Sequence, residues 1–366
     1  MKINFNISKL KENFIKLDKQ LIITVYILVT ISTLFIYSAT RSTHYVKQNI
    51  VWILIGTIIL FLSLIVDYRV TKKYIPHLYI LSVLVLLAVR FFGKKTLGAQ
   101  RWISLFGIQL QPSEFVKIIV IMVLSYVIIT KFRRGINNLI EIIKVFLYVL
   151  PIVLLILFQP DLGNTLIITF SYLCILFLDN ANIKPLLVIA VIAIISAYPV
   201  YHFVLDDYQK TRIEVFLNPE KDIRNKGWHV TQSKISIGSG ALLGAGIFNG
   251  SQSRLKFLPE PQTDFIFSVI AEETGFVGSS FVIFLYFSLL YSMLKISRLV
   301  DDDYGRIIIY GVAGIFLGHT LINIGMTIGL VPVTGKTLLF LSYGGSSYLT
   351  AFMLIALVES IKINSE

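Results

Sequence analysis

Apolar residues gather in long unbroken runs, with polar residues confined to short punctuation between them. Ten such runs can be counted, at residues 21–37, 50–66, 75–92, 115–130, 145–158, 166–178, 186–205, 265–294, 307–328 and 338–361. A bilayer core about 30 Å thick needs about 20 apolar helical residues, so each run predicts a membrane-crossing helix, the fifth and sixth being short. None shows the alternation over roughly ten residues that marks a barrel strand. The pattern predicts an all-α membrane protein, a polytopic bundle of ten transmembrane helices forming one integral membrane domain over 1–366. A large loop at 206–263, between helices 7 and 8, is its longest polar segment, and a long loop of this kind is usually functional.

Composition sharpens this reading. Of 366 residues, 55% are hydrophobic and only 15% charged, where a soluble domain carries about 25% charged residues. This excludes a water-facing globule, and a single cysteine, Cys174, excludes an intramolecular disulfide framework. The formal charge of +12 would raise nucleic acid as a partner of a soluble chain. Here topology explains the excess, and no nucleic acid is expected. Sixteen Lys and Arg residues fall in the N-terminal segment and the loops of one side, among them Lys2, Lys72, Arg133, Arg134 and Lys362, against seven in the short loops of the other. The richer side is cytoplasmic. Both termini lie there, residues 1–19 form a cytoplasmic segment whose lysines face anionic membrane lipids, and the 206–263 loop is extracellular.

Ionisable groups near or within spans are costly and merit a functional hypothesis. In Gln111-Pro112-Ser113-Glu114-Phe115-Val116-Lys117, Pro112 and Ser113 start a helix and Glu114 complements its dipole. Two readings stand for Lys117: an ordinary i, i+3 partner of Glu114, or an anion-binding group. Gln159-Pro160-Asp161-Leu162-Gly163 is first of all a turn. In the long loop, Lys210, Arg212, Arg224, Lys226 and Lys234 precede a glycine-rich stretch at 238–250. Cations beside exposed backbone N–H groups suit a diphosphate, while the stretch by itself reads as a flexible linker. The segment Glu260-Pro261-Gln262-Thr263-Asp264 enters the eighth span, with Thr263 or Asp264 as its N-cap. A straight helix over 265–294 would be about 45 Å long, placing Asp264 at the headgroup level. Glu272 then lies about 12 Å further along the axis, so a single carboxylate is the better catalytic candidate. Gly329 to Lys336-Thr337 has the wrong spacing for a phosphate loop, and the five histidines show no metal-site spacing.

Six ordered stretches, GAQRW (98–102), QPSEFVK (111–117), FQPDLG (158–163), LPEPQTDFIFSVIAEETGFVG (258–278), NIGM (323–326) and LSYGGSS (341–347), together resemble the SEDS family of shape, elongation, division and sporulation proteins. GAQRW and NIGM lean to its RodA branch rather than FtsW. The chain departs from the family at Gln262, where histidine is frequent, and at 338–340, where a proline is common. The resemblance implies a peptidoglycan glycosyltransferase that polymerises lipid II outside the cytoplasmic membrane, for cell elongation and shape. It implies a class B penicillin-binding protein and other elongation-complex membrane proteins as partners, and maps the essential acid onto Asp264. On this reading Asp264 is general base for the hydroxyl of the incoming lipid II as it attacks the growing glycan strand. Arg101, Lys117, Arg212 and Lys234, in that order, are candidates for the leaving diphosphate. Glu114 and Asp161 line the same cavity, and a divalent cation (magnesium or manganese) could assist. A division polymerase of FtsW type, a lipid II flippase, a non-catalytic scaffold for the penicillin-binding protein and an ion-coupled transporter are the competing readings.

Overall fold

The computed structural model describes residues 7–96, 99–105, 108–132, 135–179, 181–203, 205, 207–217, 226–255 and 257–365. Lys2, Gly98, Arg133, Arg134, Asp206 and Arg224 lie outside the described residues. The amphipathic α1 (Ile7–Lys16) leads to α2 (Lys19–Thr40), whose first turn is capped by Asp18 accepting from the Leu21 N–H. Ser42 caps α3 (Thr43–Leu62), and a short 3-10 turn opens α4 (Thr71–Phe92). An antiparallel meander follows: β1 (Lys94–Thr96), β2 (Ala99–Leu105) and β3 (Ile108–Leu110). Then come α5 (Pro112–Lys131), α6 (Leu139–Leu147), α7 (Leu150–Leu157), α8 (Leu162–Leu178) and α9 (Ile183–Phe203). The long segment before α13 (Ile266–Leu299) carries α10 (Asp207–Leu217), α11 (Lys226–Ser239) and α12 (Ser251–Arg254), and the chain ends with α14 (Asp303–Thr327) and α15 (Gly345–Ser365).

Seven helices among the described residues are long and apolar enough to cross a membrane: α2, α3, α4 with its opening turn, α5, α13, α14 and α15. The fifth predicted span is the pair α6 and α7, bent by 64°. Pro151 stands in the first turn of α7, where it lacks the N–H that would continue the preceding helix. The apolar helix α8 and the stretch Ile183–Ile192 of α9 are shorter. The chain is a multi-pass, predominantly helical membrane protein.

Helix α14 is the centre of the bundle. Its Gly314 lets it approach α8 so closely that an added Cβ would stand 2.8 Å from the Ser171 Cα, and the Ser171 hydroxyl donates to the Gly311 carbonyl at 2.7 Å. Small residues and interhelical hydroxyl bonds are how membrane helices gain contact without a hydrophobic drive between them. By contrast, α3 and α4 leave most of their apolar surface, such as Leu54, Ile58 and Leu84, uncovered.

The eighth span departs from the straight helix that hydropathy suggests. At Gly275 the backbone turns to φ 66° and ψ −160°, and the glycine-rich stretch plugs the break. Ala241 and Leu242 carbonyls accept from the Phe276 and Val277 N–H groups at 2.9 and 3.2 Å, while Ala245 and Gly246 donate to the Glu272 and Glu273 carbonyls at 2.9 and 3.0 Å. The two carboxylates hold the same plug, accepting from the Gln252 and Phe248 N–H groups at 2.8 and 2.9 Å. The glycines therefore serve close backbone approach rather than a linker or a phosphate cradle. Residues 261–265 form turns, and the N-cap of α13 is Phe265, without a side-chain cap, rather than Thr263 or Asp264.

Candidate active site

Pro112 opens α5, and the turn that follows places Glu114 and Lys117 on one face. Their charged atoms meet at 2.7 Å with both side chains buried. Asp161 caps α8 through the Asn164 N–H at 3.1 Å, and its carboxylate also accepts from Gln111 at 2.7 Å and the Asn164 amide at 3.0 Å. Between these acids lies Lys336, its Nζ 2.9 Å from Asp161 and 3.7 Å from Glu114. Two lysines thus interleave with two carboxylates, which is the condition for keeping charges in a desolvated place. Burial by itself would raise the Asp161 carboxyl, but Lys336 and Arg101 outweigh it and hold it below the ordinary range.

Helix α14 organises the same corner from behind. His319 stands 2.7 Å from Lys117 through Nε2 and 2.8 Å from the Thr337 carbonyl through Nδ1. One turn on, Asn323 donates to the Lys336 carbonyl at 2.7 Å and the Asp264 carbonyl at 2.9 Å. The Tyr343 N–H donates to the Gln262 carbonyl at 2.8 Å, so the segments carrying Asp264 and Lys336 are pinned to each other.

In front lies a cavity of about 840 Å³, lined among others by Asp264, Glu260, Arg101, Trp102, Lys47, Glu114 and Lys336. Its flank on α3 is apolar, with Val51, Trp52 and Ile55, and Val51 and Ile55 are exposed on the uncovered side of that helix. Arg101 is braced by its bonds to the Gln159 carbonyl at 3.0 Å and to the Pro160 carbonyl. Of the predicted residues, Asp264, Arg101 and Glu114 reach the cavity. Asp161 is buried behind it and joins it through Lys336. Lys117 is fully buried behind Glu114, so it does not meet a cavity ligand directly as an anion-binding group would. Lys234 is exposed on α11, with its chain over Gly329, and is not part of the lining. Arg212 belongs to α10, and its side chain lies outside the described residues.

Sequence reasoning misses Lys336, His319, Asn323 and Lys47. Lys336 is set aside there with the false phosphate loop, although a lysine in a short connection between two apolar runs carries the same signal as Lys117. His319 falls inside the run 307–328, where any ionisable group is costly. Among the described residues no group of three or more His, Cys, Asp or Glu side chains could hold a metal ion. Asp264 and Glu260 are carboxylates on one cavity, and two suffice for a magnesium-type ion that takes its other ligands from water and phosphate.

A multi-pass helical membrane protein with a charged, laterally apolar cavity is the class that this fold and site define. The sequence model of the cell cycle proteins FtsW, RodA and SpoVE matches residues 15–366, and the chain belongs to that family, the SEDS family. It is 36% identical over 351 residues to the peptidoglycan glycosyltransferase MrdB of Escherichia coli, covering 95% of this chain and 94% of the relative. It is 33% identical to the peptidoglycan glycosyltransferase RodA of Treponema pallidum, covering 94% and 97% of the two. Its fold is similar to a chain of a peptidoglycan synthase complex that coordinates polymerization and crosslinking, with a TM-score of 0.82, 27% identity, and 95% and 98% of the chains covered. It is also similar to the rod shape determining protein RodA of Thermus thermophilus, with a TM-score of 0.72, 26% identity, and 95% and 97% covered.

Proposed function

We propose that this protein polymerises lipid II into glycan strands, with Asp264 as general base and the cavity at the outer face of the cytoplasmic membrane. It is a peptidoglycan glycosyltransferase of the elongation and cell-shape type. The observation that carries the site assignment is the sharing of one cavity by Asp264, Arg101 and Lys336 beside the apolar flank of α3. A lipid-linked diphosphate needs cations for its head and an open apolar side for its tail, and both are present.

In the step proposed, the 4-hydroxyl oxygen of an incoming GlcNAc attacks the anomeric carbon of the terminal MurNAc. Its proton passes to Asp264. The bond to undecaprenyl diphosphate breaks, with the electron pair leaving on the diphosphate, so an α-linked donor gives a β-1,4 bond by inversion. Arg101 and Lys336 offset the leaving charge directly; Lys117 acts one layer back, through Glu114. Asp264 and Glu260 would hold a magnesium or manganese ion, which supplies further positive charge at the leaving group. Lys234, exposed away from the cavity lining, has no part in this step. On this reading the two shorter apolar helices join the seven long helices and the bent pair as further spans, giving ten in all with both termini cytoplasmic. The crosslinking partner is a class B penicillin-binding protein, a pairing that the similar synthase complex supports.

The test is polymerisation of labelled lipid II by purified protein, with and without that partner. Asp264→Ala is expected to lose activity by about 10²–10⁴-fold, the usual contribution of a general base, while remaining folded. Equal product from both proteins would remove Asp264 from catalysis. No product from wild type under any condition would shift the reading to a flippase or scaffold.

A further inference from the structure

His319 is a buried group that the polymerisation step leaves unused. Its partners fix its form. The Thr337 carbonyl, 2.8 Å from Nδ1, can only accept, so Nδ1 carries the proton. The lone pair of Nε2 then accepts from the Lys117 ammonium at 2.7 Å. A neutral ring thereby ties α5, through Lys117, to the connection between α14 and α15. Asn323, four residues on and so on the same face of α14, donates to the neighbouring Lys336 carbonyl at 2.7 Å. Two successive carbonyls are held by two side chains one helical turn apart. What they hold is the backbone from which Lys336 reaches Asp161 and the cavity wall.

We propose that His319 is a positioning residue, the α14 side of a clamp that fixes Lys336 on the cavity wall for a lipid-linked diphosphate. The inference rests on the polymerase reading for the identity of that ligand. Its defining requirement is an acceptor toward Lys117 and a donor toward Thr337 on one planar group. Glutamine can meet it: the side-chain oxygen accepts and the amide nitrogen donates. Leucine fills the space and offers neither.

The experiment compares wild type, His319→Gln and His319→Leu as purified full-length protein, with two readouts. One is kcat/KM for lipid II polymerisation per folded molecule. The other is the rise in unfolding temperature on adding undecaprenyl diphosphate, which needs no turnover. The Gln variant is expected to keep both close to wild type. The Leu variant is expected to lose about tenfold or more in kcat/KM, since displacement of a binding group by an ångström can cost up to 10²-fold, and to lose the ligand-induced stabilisation. Leu behaving as wild type in both readouts overturns the proposal. So does a folded Gln variant that is inactive and unresponsive to undecaprenyl diphosphate, and this arm decides the matter if the Leu variant does not fold. If wild type makes no glycan yet is stabilised by undecaprenyl diphosphate, and Leu is not, the polymerase reading fails while the clamp stands.

Discussion

Lys336 shows how much one side chain carries in this site. It reaches Asp161 across 175 residues of sequence and also faces Glu114. Lys336→Met should therefore leave a buried carboxylate short of its cation. Removing one partner of a buried pair costs about 3–5 kcal/mol; the bonds from Gln111 and Asn164 to Asp161 place this case at the low end. Thermal unfolding in detergent checks it, and an unchanged midpoint would sink the argument. The pH dependence has a definite sign. With the Asp161 carboxyl held below its ordinary value by Lys336 and Arg101, its contribution is present above the unfolded value and lost as pH falls through the folded one. Lys336→Met raises the folded value toward the unfolded one, so the Asp161 share of the acid limb should be smaller, and should be complete at higher pH, than in wild type. Glu114, Lys117 and Asp161 are legible in the sequence because charge beside an apolar run has no cheap explanation. Their arrangement is not, since no local pattern tells which lysine meets which acid. Lys117 in particular reads equally as a partner of Glu114 or as an anion binder until its burial behind Glu114 is seen.

At the scale of elements, the break in α13 is the feature with consequences. Gly244 stands at φ +81°, and a Cβ there would meet the Glu273 carbonyl oxygen at 2.2 Å. Gly240 is as close to the Ala271 carbonyl. Gly238 has nothing within 4 Å of its Cβ position, so it serves as the internal control. Gly244→Ala is expected to cost about 1–3 kcal/mol through strained backbone and to expel the plug from the break, lowering polymerisation with it. Gly238→Ala should be neutral or stabilising by up to about 1 kcal/mol, as for any helical glycine with room. Melting curves and lipid II turnover of the two variants side by side measure this, and equal behaviour would show that the close approach is not needed. Hydropathy reveals that a long helix exists here but is blind to its break, because Gly275 interrupts φ and ψ without interrupting the apolar run. The plug hides for a related reason: glycines needed for contact look like glycines needed for freedom. The meander of β1 to β3 is likewise invisible, its outer strands being three residues each and shorter than any periodicity can mark.

At the scale of the whole molecule, the function depends on which way the bundle faces. Lys47 comes from the first turns of α3 and Arg101, Asp264 and Lys336 from three separate connections, yet they line one cavity, so orienting one orients the site. The sixteen-to-seven imbalance of Lys and Arg predicts that this end faces outside, where a polymerase must work and where cytosolic nucleotide cannot drive it. Single-cysteine labelling tests this directly. With Cys174, the one native cysteine, replaced by serine, Leu242→Cys introduces a thiol into the plug at a position 62% exposed. Asp301→Cys introduces one into the exposed connection between α13 and α14. A membrane-impermeant maleimide added to intact cells should modify the protein carrying Leu242→Cys and spare the one carrying Asp301→Cys, and both should react once the membrane is opened. The reverse pattern would place Asp264 and its cavity on the cytoplasmic side, where no glycan strand grows, and the polymerase mechanism would fail whatever the geometry of its residues.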